Sequence, residues 1–167
     1  PGNHDLIRLD KKECSLTEQC DELSAEYIDS YKFYNEFTKK LIDMDNAHIT
    51  RIEEYHKDKD IYYFLVSNTN WFRNNNESKS TKDCINCKKV SDCIQVLSAK
   101  SNKMNNIFIS HLPTDFICEC AKYSYGSNLN VAIDKNFHLC LAGDKHDLST
   151  SKNSYIVGNP LYDEYTT

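Results

Sequence analysis

The chain has 167 residues, 40% hydrophobic and 27% charged, with Gly (4) and Pro (3) both scarce; this is the composition of one folded domain and excludes a disordered or collagen-like chain. Lys and Arg number 20 against 25 Asp and Glu, a net charge of −5, which removes the electrostatic reason for non-specific binding to nucleic acid or to an anionic membrane. No run of 18 apolar residues occurs, so no segment reads as a membrane span.

The first seven residues, opening Pro1-Gly2-Asn3-His4-Asp5 without an initiator Met, read as a loop, and no secretory leader is evident. Such a start is expected of a processing site or a truncated reading frame. Ser15, with Glu18 three residues on, reads as a capping box that opens a long amphipathic helix. Its Leu23, Tyr27, Tyr34, Phe37, Leu41 and Met44 recur at spacings of three, four and seven and are expected to face a core. Ile61-Tyr62-Tyr63-Phe64-Leu65-Val66 predicts a buried strand that empties into Ser67-Asn68-Thr69-Asn70.

Residues 73–82 are polar and rich in Asn and Ser, the composition of a loop. A helix is predicted over 91–103 with Ile94, Leu97 and Met104 inward, then a short strand at Ile107-Phe108-Ile109 that ends in Ser110-His111-Leu112-Pro113. Residues 129–134 fit helix or strand, because so short an apolar run has no decisive period. Residues 137–142 predict a strand emptying into Gly143-Asp144-Lys145-His146-Asp147, and 155–158 a last strand. No internal repeat or linker divides 1–167, so a single domain is expected, with 73–93 as a polar, Cys-containing insertion.

Three polar clusters, Gly2 to Asp5, Ser110-His111 and Gly143 to Asp147, each sit at a loop or strand end. Open α/β sheets place their sites at the carboxyl ends of strands, so clusters distant in sequence are expected to converge. Imidazole nitrogens with Asn and Asp oxygens make a mixed N/O ligand set, suited to Zn, Mn, Fe or Ni rather than to a thiolate site.

In these motifs the sequence resembles the calcineurin-like metallophosphoesterases. Gly2-Asn3-His4-Asp5 is similar to the family's Gly-Asn-His-Asp/Glu motif, Ile109-Ser110-His111-Leu112-Pro113 to its strand ending in His, and Leu141-Ala142-Gly143-Asp144-Lys145-His146 to its strand ending in Gly-His-x-His. The order and spacing fit from Pro1 to about Pro160. The resemblance implies an α/β layered sandwich of two sheets flanked by helices, represented by its later half. It implies hydrolysis of a phosphomonoester or phosphodiester by a hydroxide bridging two divalent ions. Asn3 and His111 would ligate one ion, with Asp144 in the place of the family's leading His, and His146 would ligate the other; His4 would assist at the phosphate, oriented by Asp5.

Two departures stand out. The carboxylate of Asp144 is a harder ligand than imidazole and favours Mn or Mg over Zn, the alternative being a weakly held second ion. The family's opening Asp-x-His and Gly-Asp-x-x-Asp motifs, which supply the bridging carboxylate, precede the Asn-His motif and are not in this sequence. A fragment of a longer enzyme is therefore expected, the other reading being a degenerate, non-catalytic interaction protein on the same scaffold.

That second reading draws on the eight cysteines. Cys84 and Cys87 form a C-x-x-C pair, and with Cys93 they are candidates for a structural zinc. No second pair follows at matched spacing, however, and Cys93 and Cys140 lie in apolar segments where a thiol acts as a small hydrophobe. Cys140 near His138 suggests thiol catalysis only weakly, since an apolar strand disfavours thiolate. Reduced thiols and a cytoplasmic location are expected. Substrates are expected to be small phosphate esters; nucleic acid stays open as a substrate without being indicated by charge, and oligomeric state is not legible.

Overall fold

The structure is a computed structural model in which residues 29, 31–47, 49–68, 87–113, 129–143, 149–151 and 154–156 are described. Three helices, α1 (Lys32–Ile42), α2 (Cys87–Lys100) and α3 (Leu129–Asn136), accompany six strands. These are β1 (Arg51–Lys57), β2 (Asp60–Ser67), β3 (Asn106–Ser110), β4 (Leu139–Ala142), β5 (Ser149–Ser151) and β6 (Ser154–Ile156). They form one mixed sheet in the order β1-β2-β3-β4-β6-β5. The β2, β3, β4 and β6 neighbours are parallel, and an antiparallel hairpin closes each edge. The chain is thus α/β, and all described strands belong to this single sheet.

The β-branched and aromatic run of β2 alternates. Tyr63, Leu65 and Ser67 are buried, whereas Tyr62, Phe64 and Val66 are half-buried. Tyr63 and Leu65 meet Phe108 and Cys140 on β3 and β4, beneath Val90, Cys93, Ile94 and Leu97 of α2 and Leu129 and Ile133 of α3. Phe108 and Phe137 pack edge to face with ring centroids 5.6 Å apart. Each fully buried side chain of this size stabilises the fold by roughly 1.5–3 kcal/mol.

Buried amides lock the opposite, amino end of the parallel strands. Asn106, 2% exposed, accepts from Ser101 Oγ at 2.6 Å and donates to the Asn136 carbonyl at 3.0 Å. The ends of α2 and α3 are thereby tied to the start of β3, with no buried polar atom of that amide left over.

Several expectations are corrected. Phe37 and Leu41 do not face the core but are exposed, and Tyr34 and Met44 are half-buried. α1 instead turns the buried Tyr31 and Thr38 inward: the Tyr31 hydroxyl, at its amino end, accepts from Asn68 at the end of β2, and Thr38 Oγ1 satisfies itself within the helix on the carbonyls of Tyr34 or Asn35. The second helix starts at Cys87 and stops at Lys100, so residues 87–93 of the expected insertion are helical. Met104 falls beyond that helix in a 3-10 turn (Lys103–Asn105), capped by Asn102, and is exposed. Phe137 precedes its strand rather than joining it, and 129–134 is helix.

Strand β1 had no sequence reading at all. It is charged and largely exposed, as an edge strand that must resist further pairing tends to be. Its two-residue turn to β2 places Asp58 at φ 55°. Ser15, Glu18, Leu23 and Tyr27 lie outside the described residues.

Candidate functional site

The parallel strands end level with one another. Ser67 of β2 is the register partner of Ser110 of β3, which in turn partners Ala142 of β4. One residue further along each strand stand Asn68, His111 and Gly143, at the carboxyl edge where α/β sheets carry ligands.

His111 is held from both sides. Ser110 Oγ donates to the Leu112 carbonyl at 2.7 Å, and Leu112 and Pro113 are buried, so the turn after β3 is anchored. The amide of Gly143 donates to the His111 carbonyl at 2.9 Å. The half-buried imidazole folds back over Gly143, where a Cβ would lie 3.7 Å from Nδ1 and 3.5 Å from the His111 carbonyl oxygen. His111 and Gly143, one residue from each of two polar clusters, therefore meet, and Asp144 follows Gly143 in the sequence.

On β2 the edge is built by residues that sequence reasoning read only as a loop. Asn68 is buried, donating its backbone N–H to Thr50 Oγ1 at 3.1 Å and its Nδ2 to the Tyr31 hydroxyl at 3.1 Å. The signal available was a polar residue just past an apolar strand. Beside it Ser67 is 5% exposed, and its hydroxyl has no hydrogen-bond partner among the described residues.

Of the four residues assigned to the divalent ions, His111 alone falls among the described residues. Asn3, Asp144 and His146 lie outside them, as do the catalytic candidates His4 and Asp5, and so does Cys84. Among the described residues no three His, Cys, Asp or Glu side chains come together. His111 offers an imidazole nitrogen at the end of β3, a donor type that suits a first-row divalent ion. Cys87 opens α2. Cys93 is a free, buried thiol in the core, and burial pushes its pKa up, against a smaller lowering by Lys89. Cys140 is also buried, while His138 is exposed.

No helix among the described residues is long and apolar enough to cross a membrane. Compared with protein-family models, curated proteins and solved structures, the chain matches none. Fold and edge together define an α/β protein with a mixed open sheet.

Proposed function

We propose that the carboxyl edge of this sheet belongs to a metallophosphoesterase site that hydrolyses a phosphomonoester or phosphodiester. The observation that supports it is the bond from the Gly143 amide to the His111 carbonyl, because the reading requires those two strand ends to be neighbours. In this reading Asn3, His111 and Asp144 hold one divalent ion and His146 the other, with Mn favoured by the carboxylate. Such ions supply positive charge at the phosphoryl oxygens and acidify a water. His4 exchanges a proton with the leaving oxygen, and Asp5 orients its ring.

The same proposal includes a second sheet. β2, β3 and β4 follow one another in a single direction, and right-handed crossovers then put α2 and α3 on the same face. The opposite face carries Tyr62, Phe64, Val66, Ile107, Ile109 and Leu141, all half-buried. Parallel sheets bury both faces, and a sheet-on-sheet layer would cover this one.

The test is turnover of 4-nitrophenyl phosphate and its bis-ester by the full-length gene product with Mn supplied. Hydrolysis is expected, with kcat lowered about 100-fold or more in His4→Ala. Failure to turn over either ester would defeat the proposal.

A further inference from the structure

Tyr31, Thr50 and Asn68 are 1%, 1% and 3% exposed and stand just before α1, just before β1 and just after β2. The Asn68 carboxamide donates to the Tyr31 hydroxyl and the Asn68 backbone N–H to Thr50 Oγ1, both at 3.1 Å. Burying polar groups costs desolvation that their hydrogen bonds only partly return, so such a knot is a poor way to gain stability. The packing of α1 points the same way, because with Tyr31 and Thr38 inward it leaves Phe37 and Leu41 in solvent. Local rules are broken in this manner where a site needs a group held still.

What the knot holds is the chain beside His111. The ladder between β2 and β3 ends at the pair Ser67 and Ser110, and the next residues are Asn68 and His111, on backbones about 5 Å apart. Beyond that pair the ladder no longer sets the spacing. The Gly143 amide fixes His111 from the β4 side at 2.9 Å, and the two Asn68 bonds fix the chain on the β2 side. We propose that Tyr31 and Thr50 are positioning residues for the proposed metal site, acting through Asn68 to hold the end of β2 against His111. The inference rests on the metallophosphoesterase reading.

A matched buried amide stands at the other end of the sheet. Asn106, tied to Ser101 and to the Asn136 carbonyl, opens β3, roughly 13 Å along the strand from Ser110. The measurement is Mn affinity of the full-length gene product, read from the electron paramagnetic resonance of free Mn. Tyr31→Phe and Thr50→Val should each weaken binding about tenfold, as loss of an outer partner of a metal site does. Thr50→Ser, which keeps the acceptor, should restore it. Ser101→Ala should lower Tm, since it too removes a buried hydrogen bond, and leave Mn affinity unchanged. Should Thr50→Val fail to fold, Tyr31→Phe, which deletes one hydroxyl, carries the test. Unchanged affinity in Tyr31→Phe, or an equal loss in Ser101→Ala, would overturn the positioning role while leaving the metal site in place. His111→Ala tests the reading beneath it: no Mn binding by the parent chain, or equal binding by His111→Ala, would remove the site and this inference with it.

Discussion

The Gly143 amide lies 2.9 Å from the His111 carbonyl, and this bond joins the turn after β3 to the end of β4. It is backbone to backbone, so it survives any side chain at 143 that keeps the N–H. A Cβ there would meet the His111 carbonyl oxygen at 3.5 Å and Nδ1 at 3.7 Å, ordinary contact distances. Gly143→Ala is therefore expected to leave stability within about 0.5 kcal/mol of the parent. Gly143→Pro removes the donor and should cost about 1–3 kcal/mol. Urea unfolding of the two variants checks this, and equal damage from both would show that space, not the bond, governs the position.

Ser67 buries a hydroxyl that has no hydrogen-bond partner among the described residues. Removing a buried, unmatched hydroxyl relieves its desolvation cost, so Ser67→Ala should stabilise the protein by about 1 kcal/mol and raise Tm by about 2–4 °C. A fall in Tm would mean that the hydroxyl has a partner in solution.

Cys93 carries a pH dependence. Burial raises its pKa in the folded chain, so the folded state keeps a proton that the unfolded state releases. Its contribution is complete below the ordinary thiol pKa of about 8.5 and is lost as pH rises through the raised value. Wild type should lose more stability than Cys93→Ala between neutral and strongly alkaline pH, as read from urea midpoints across that range. Identical slopes would place this thiol in water.

Ile109 tests the proposed second layer. If its face is covered, Ile109→Lys places an ammonium in an apolar interface and should cost about 3 kcal/mol or more. Val131→Lys, at an exposed position of α3, should change stability by less than about 0.5 kcal/mol. Thermal unfolding separates the two cases, and equally mild effects would leave the second face open to solvent.

Elements whose burial follows their own apolar pattern were legible in the sequence. The β2 run, the strand at Ile107 to Ile109, and Ile94 with Leu97 on α2 all stand where periodicity puts them. Tertiary bonds decided the rest. Phe37 and Leu41 form the stronger apolar arc, yet the bond of Tyr31 to Asn68 ties the start of α1 to the sheet with Thr38 inward. β1 escaped notice because an edge strand needs little apolar pattern when its partner β2 supplies the ladder. At the site, Ser110-His111 and Gly143 were legible as polar punctuation after strands, and the parallel register brings them together. Asn68 was not, since its role depends on Tyr31, 37 residues away.

The most direct test of the phosphoesterase proposal is anomalous diffraction at the Mn edge from crystals of the full-length gene product. The account predicts a Mn peak within about 2.0–2.3 Å of an imidazole nitrogen of His111, with Asn3 or Asp144 on the same ion. A map with no Mn at His111, and with Asn3, Asp144 and His146 spread over separate surfaces, would contradict it.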